Sequence, residues 1–262
     1  MTFLHPAAAG LDFVTEIARE SNAFAAAAER DLSAPVQHCP GWTVADLVAH
    51  LTEVHWFWAT LAAERLSTPP DEDRRPARAE PADLISTFRA GARQLVDVLA
   101  AADPAASTWT WAPIQQNIGF ITRHQVQEAA VHRWDAENAV GDAQPIGTAA
   151  AVDAIEEFLT FSVASESDHP DQPRPDLNGR LGLVATDAQA SWTVYDGSLP
   201  GTVSFSRDAT EDLAALTGTA SDLLLWLFGR LEAAELTTTS PNGDGAEVSE
   251  LLARLRALSF TD

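Results

Sequence analysis

The hydrophobic positions in the first half of the chain recur at the spacing of amphipathic helices. One such stretch runs from Leu11 to Arg30 without a proline, and a second runs from Thr43 to about Leu66. A third starts after Pro81, and a fourth covers residues 121–140, just before Gly141, which suits a helix C-terminus. This period predicts four long antiparallel helices, which together form a bundle.

The pattern changes in the last third of the chain. A helix is predicted at about residues 148–165, and a proline-rich linker follows at 166–178. Short runs of β-branched and aromatic residues, bounded by Gly, Asp or Pro, then predict strands, with helical patterns among them. The predicted strands lie at 180–186, 191–197, 202–207 and 236–239, and the predicted helices at about 211–216, 221–234 and 246–258.

These elements predict an α+β protein with two domains. A chain of 262 residues is long enough for two modest hydrophobic cores. Residues 1–145 are predicted to form the four-helix bundle, and residues 146–262 a smaller α+β domain. The pattern leaves open with which of the two the helix at 148–165 packs.

Composition narrows the range of functions. Lys and Arg number 16 against 38 Asp and Glu, which gives a formal net charge of −22. A field of this sign repels phosphate backbones and anionic lipid, so it disfavours nucleic-acid binding and electrostatic membrane docking. The N-terminus lacks the features of a signal peptide, and no apolar run approaches the ~18 residues that span a bilayer. We therefore expect a cytoplasmic protein. The sequence leaves open whether it is a monomer or a homodimer.

Cys39 is the one cysteine in the sequence. An internal disulfide and a zinc site built from several cysteines are therefore excluded. Cys39 stands just before a predicted helix N-terminus, where a thiolate can be stabilised, but a neutral structural cysteine is the commoner case. We assign it no catalytic role.

The most specific chemical signal lies in the fourth predicted helix. His124, Glu128 and His132 follow one another at intervals of four residues, which places all three on one face of an α-helix. A carboxylate and an imidazole at this spacing can reach one cation, and they suit zinc or a related first-row ion. Such a pair is also a common local stabiliser of helices. Two ligands from one helix require at least one more from elsewhere.

His50, in the second predicted helix, is a candidate for the additional ligand. It lies in an apolar stretch, where an unpaired imidazole is costly. Asp46 and Glu53 precede and follow it by about one turn, so either can orient its second nitrogen. Spacing alone does not separate His50 from His124 as the third ligand.

Other polar residues receive weaker assignments. Asp135 stands one turn after His132 and can orient that ring. His55 lies about 140° around the helix from His50 and is predicted to be off the site. Arginines can bind an anionic substrate, although surface salt bridges are their commoner role, and we assign none. The arginines considered are Arg123, Arg133 and Arg207, and the histidines given no role are His5, His38 and His169.

Two segments resemble a known family. CPGWTVADLVAHL, which ends at Leu51, is similar to the opening motif of the mycothiol-dependent maleylpyruvate isomerase family within the DinB-like superfamily. RHQVQEAAVHRWDAENAVG, which ends at Gly141, resembles its second motif. The resemblance implies a DinB-like four-helix bundle that holds zinc through His50, Glu128 and His132, and so selects His50 over His124.

The likeness extends more weakly to the C-terminal segment, through SWTVYDG and LLLWLFGR. It implies a smaller, sterol-carrier-like α/β domain there. Gln127 departs from the family pattern, in which a histidine often precedes the ligand glutamate. This difference bears on the substrate rather than on the metal.

The resemblance also implies mycothiol as the thiol cosubstrate of an enzyme. The family reaction converts maleylpyruvate to fumarylpyruvate: a thiolate adds to the double bond, the carbon–carbon bond rotates, and elimination restores the alkene. Zinc lowers the pKa of a bound thiol, and the same thiolate can instead remain attached to a small electrophile. We therefore predict an isomerase or a thiol S-transferase. The alternatives are a metal-dependent hydrolase and a non-enzymatic small-ligand-binding protein with a structural metal.

Overall fold

The structure, a computed structural model, describes residues 8–163, 174–207, 212–243 and 245–259. The contacts between Cα atoms divide the chain into two compact units. One comprises Leu11–Pro145, and the other comprises the described residues from Ile146 onward together with residues 8–10. His5, His169 and residues 166–173 of the predicted linker lie outside the described residues. Within the described ranges, no helix has the length and apolar character needed to cross a membrane.

Four helices make up the first unit and pack as a bundle. Side chains at their N-termini fix where several of them begin: Asp12 accepts a hydrogen bond from the Thr15 amide, and Asn117 accepts one from the Phe120 amide. The four helices predicted from the sequence are confirmed within a few residues at each end. Their bounds are α1 (Phe13–Ala28), α2 (Val44–Glu64), α3 (Leu84–Ala101) and α4 (Ile118–Ala139).

The directions of the helices correct the sequence prediction. Residues 65–83 lead the chain from the end of α2 back to the level of its start, where α3 begins. Ala49, near the start of α2, and Leu84, at the start of α3, therefore line the same small cavity. These two helices run parallel. The C-terminal ends of α1 and α4 also meet, through an ion pair of 2.8 Å between Arg30 and Asp142. The prediction that all four are antiparallel neighbours is therefore wrong for these two pairs. An extended connection of this length easily covers the ~30 Å of α2.

Among its described residues, the second unit contains three α-helices and five strands, which form one sheet. The helices are α5 (Thr148–Phe161), α6 (Ala220–Leu227) and α7 (Gly245–Leu258), and the strands are β1 (Arg180–Ala185), β2 (Ala190–Asp196), β3 (Val203–Ser206), β4 (Ala214–Gly218) and β5 (Thr237–Thr239). The strand order in the sheet is β3-β2-β1-β4-β5. β1 and β4 pair in parallel, and the other neighbouring strands are antiparallel. The sequence left open where the helix predicted at 148–165 packs. This helix, α5, packs against α6 in the second unit.

Two helix predictions in this unit need correction. The helix predicted at 211–216 is wrong, because residues 214–218 form β4, which hydrogen-bonds to β1 on one side and β5 on the other. Pairing on both sides outweighs the helical preference of its Ala and Leu residues. The helix predicted at 221–234 ends earlier, at Leu227, and Gly229 then adopts a positive φ of 72°. The α+β class itself is confirmed.

Candidate metal centre

His50 on α2 meets Glu128 and His132 on α4. One potential ligand atom from each of the three side chains lies within 4.8 Å of the other two. Glu128 Oε1 is 3.4 Å from His132 Nε2 and 3.6 Å from His50 Nε2. The two imidazole rings meet almost perpendicularly, with centroids 5.2 Å apart. The three residues proposed from the sequence therefore converge at one point between two helices.

The donor set and its spacing fit a small divalent cation. Around tetrahedral zinc, with bonds of about 2.0–2.1 Å, neighbouring ligand atoms stand about 3.3 Å apart. The separations of 3.4 Å and 3.6 Å from the Glu128 oxygen are close to this value and longer than a good hydrogen bond. Two imidazoles and one carboxylate also form a known catalytic zinc set, which leaves a fourth position for an exchangeable ligand. All three side chains are partly exposed.

The electrostatics favour a charged carboxylate at this point. Burial raises the pKa of Glu128, but the close contacts of its carboxylate with the imidazoles of His132 and His50 outweigh burial and hold this pKa well below its usual value. Burial lowers the pKa of His132, whereas Asp135 and Glu128 raise it, to about 9. The carboxylate is thus ready to bind a cation, while a cation must displace a proton from His132.

Asp135 orients the ring of His132. Its carboxyl group is buried, and Oδ2 lies 3.2 Å from His132 Nδ1. This contact directs the other ring nitrogen, Nε2, toward Glu128. The contact between Asp135 and His132 was predicted from their spacing, and the structure confirms it.

The two carboxylates proposed to orient His50 are engaged elsewhere. Asp46 accepts a hydrogen bond from the Thr43 amide at the start of α2 and pairs with Arg78 at 2.9 Å. Glu53 pairs with Arg75 at 3.3 Å. The indole ring of Trp42 lies beside the His50 ring, with centroids 5.2 Å apart. The sequence did not predict this contact. Trp42 belongs to the loop that enters α2, and helical spacing gives no information on a contact made from a loop.

The remaining histidines of this unit lie apart from the three ligand atoms. His124 is one turn before Glu128 and is surrounded by aromatic rings. His55 is completely buried and packs against Phe88. His38 lies beside Trp134, with ring centroids 5.8 Å apart.

Two of the arginines considered as anion binders form ion pairs within their own units. The buried Arg133 contacts Glu20 at 2.7 Å and Glu137 at 2.6 Å. Arg207 binds Glu156, which also accepts a hydrogen bond from the indole of Trp192. These contacts give both arginines a structural role.

Two family models match the chain. The model of the mycothiol maleylpyruvate isomerase N-terminal domain matches residues 14–137, and the model of the MDMPI C-terminal domain matches residues 149–250. The chain belongs to the mycothiol-dependent maleylpyruvate isomerase family. The family match covers both units and includes the helices that carry His50, Glu128 and His132.

Solved structures show the same fold as this family member. The crystal structure of the mycothiol-dependent maleylpyruvate isomerase aligns with a TM-score of 0.61 at 12% identity, over 89% of this chain and 93% of that chain. A crystal structure of a histidine-to-alanine mutant of that isomerase aligns with the same values. No curated protein matches the chain. The family and the solved structures take their names from an enzyme.

Proposed function

We propose that this family member is a metal-dependent enzyme that activates mycothiol for reaction with a small electrophile. The observation that carries the proposal is the convergence of His50, Glu128 and His132 within 4.8 Å of one another. Membership of a family named for a mycothiol-dependent isomerase supports the choice of thiol.

In this proposal His50, Glu128 and His132 hold one divalent cation, and the mixed nitrogen and oxygen donor set favours zinc. A cation bound there lowers the pKa of a thiol that reaches it, so that the thiolate is available at neutral pH. Asp135 keeps the His132 ring in a fixed orientation through its contact with Nδ1. The partial exposure of the three side chains gives a thiol access to the site.

Two reactions start from the same step, in which the thiolate sulfur forms a bond to an electron-poor carbon. In isomerisation the adduct rotates about the former double bond, and cleavage of the carbon–sulfur bond restores the alkene and the thiolate. In S-transfer the carbon–sulfur bond remains, and a leaving group departs with its bonding electrons. The three-residue site supports both reactions, so a substrate screen must decide between them.

The test is a screen of purified, zinc-loaded protein with mycothiol, maleylpyruvate and a panel of neutral electrophiles. We expect turnover that needs both the metal and the thiol. His132→Ala should lose turnover, and the matched control His38→Ala, a histidine outside the site, should keep it. Turnover that persists after removal of the metal would contradict the proposal, and hydrolysis without thiol would favour a hydrolase.

A further inference from the structure

Four aromatic side chains surround one another one helical turn from the candidate metal centre. The ring of His124 stacks on Phe120 at a centroid distance of 5.5 Å and an interplanar angle of 12°. Trp111 and Trp58 meet the His124 ring edge-on at 5.3 Å and 5.7 Å. Trp111 also meets Phe120 at 5.1 Å. We call these residues, Trp58, Trp111, Phe120 and His124, the aromatic cluster.

The cluster lies along the same line of contact between α2 and α4 as the metal centre. His50 faces His132 at one position. Trp58, eight residues after His50 on α2, faces His124, eight residues before His132 on α4. At a rise of 1.5 Å per residue, His124 is about 6 Å along the axis from Glu128. A ring bound at the cluster can therefore bring one of its own carbons, or a carbon attached to it, close to a sulfur held at the metal centre.

Trp111 is the exposed member of the cluster. It is 39% exposed, whereas Trp58 and Phe120 are buried. Hydrogen bonds hold the loop that carries it: the Gln116 side chain donates to the carbonyl oxygens of Thr110 and Ala112, at 2.6 Å and 2.7 Å. An indole held in this way offers an apolar surface at little entropic cost, since it is already ordered.

The charges of the bundle disfavour a small dianion as the substrate. Arginines between α2 and α3 are neutralised by carboxylates on α2 or beside it: Arg74 by Glu64, Arg75 by Glu53 and Arg78 by Asp46. The net charge of −22 adds long-range repulsion of anions. A neutral ligand avoids both costs.

We propose that the aromatic cluster binds the ring of a neutral aryl electrophile, and that aryl electrophiles are the substrate class of this enzyme. The inference rests on the proposed function, because it uses the thiol at the metal centre. The ring stacks against the exposed indole of Trp111, and the reacting carbon points along α4 toward Glu128. With 1-chloro-2,4-dinitrobenzene as the probe, sulfur bonds to the carbon that carries chlorine, chloride leaves with the electron pair of the broken bond, and the thiol proton passes to the buffer.

The kinetic test compares 1-chloro-2,4-dinitrobenzene with iodoacetamide, a neutral electrophile without a ring, using zinc-loaded protein and mycothiol. Trp111→Ala should raise KM for the aryl probe about two- to tenfold, which corresponds to the loss of one aromatic contact. KM for iodoacetamide and for mycothiol should not change, and Trp111→Phe should restore most of the affinity for the aryl probe. The matched control is Ile114→Ala, on the same loop and 70% exposed, which should behave as the wild type.

Two kinetic results would overturn the inference. An equal rise in KM for both electrophiles would show that Trp111 acts on the loop as a whole, and a rise confined to mycothiol would assign the cluster to the thiol. Calorimetric titration with 1,3-dinitrobenzene, an aryl compound that does not react, tests the aryl site independently of turnover. It therefore separates failure of this inference from failure of the proposed function. Binding that weakens about two- to tenfold in Trp111→Ala supports the aryl site even without turnover, whereas equal binding to both proteins or absence of binding to the wild type refutes it.

Discussion

Oδ2 of Asp135 lies 3.2 Å from Nδ1 of His132, one turn earlier on α4. A carboxylate in this position keeps the proton on Nδ1 and leaves Nε2 free to bind a cation. We expect Asp135→Asn to weaken zinc binding about 10–100-fold, measured by competition with a chromophoric chelator. Glu53→Gln is the control. Because Glu53 pairs with Arg75, this substitution should leave the zinc affinity unchanged. Equal effects of the two substitutions would contradict the orienting role of Asp135.

The choice between the two histidines that flank Glu128 can be tested by metal analysis. His132 contributes an atom to the group within 4.8 Å, whereas His124 belongs to the aromatic cluster. We expect about one zinc per chain in the wild type, a loss of most of it in His132→Ala, and retention in His124→Ala. Elemental analysis of gently purified proteins measures this directly. The reverse pattern would assign the ligand to His124.

Zinc binding should depend on pH through His132. Because the pKa of this residue is raised to about 9, its ring is protonated at neutral pH, and zinc must displace the proton. We therefore expect affinity to rise with pH from neutral toward 9, with about one proton released per zinc at pH 7. Calorimetric titrations in two buffers of different ionisation enthalpy count the protons. Asp135→Asn removes one of the groups that raise the pKa of His132, so this variant should release fewer protons per zinc bound at pH 7. An unchanged number of released protons in Asp135→Asn would contradict His132 as their source.

A second histidine should affect stability in acid. His55 is completely buried, its two ring nitrogens lack hydrogen-bond partners among the described residues, and burial lowers its pKa to about 4. The unfolded chain binds this proton near pH 6.5, so the fold loses stability as pH falls from about 6.5 to 4, by about 3 kcal/mol in total.

The corresponding experiment is urea unfolding of chelator-treated protein at pH 7 and pH 5. Between these values the wild type should lose about 2 kcal/mol more unfolding free energy than His55→Leu, which has no ring to protonate. Parallel losses in the two proteins would show that His55 contributes nothing to the pH dependence.

The buried Arg133 should be a stability residue rather than an anion site. Its substitution by Met leaves Glu20, which is fully buried, without its 2.7 Å contact to the guanidinium. Glu20 keeps its contact with Arg19 at 2.6 Å, so we expect a loss of about 1.5–3 kcal/mol in unfolding free energy, measured by urea denaturation. Arg30→Met is the control, because its pair with Asp142 is exposed on both sides and should contribute less than about 1 kcal/mol. Similar losses in both variants would contradict this assignment.

Local sequence determined the helices of the bundle and half of the candidate site. Helical period and N-terminal caps depend on residues within a few positions, so α1 to α4 could be placed within a few residues. Glu128 and His132 share one face because both lie on the same helix. The same argument predicted the contact between Asp135 and His132. The assignment of His50, Glu128 and His132 as metal ligands remains a prediction.

Tertiary structure decided what depends on packing between distant segments. Spacing left His50 and His124 equal, and only the alignment of α2 against α4 brings His50 Nε2 to 3.6 Å from Glu128. The aromatic cluster likewise draws on α2, the loop before α4 and α4 itself, so no local pattern could show it. Residues 214–218 became a strand because β1 and β5 satisfy their backbone groups from both sides. Long-range contacts override local preference in these places because their free energy exceeds the small differences in intrinsic propensity.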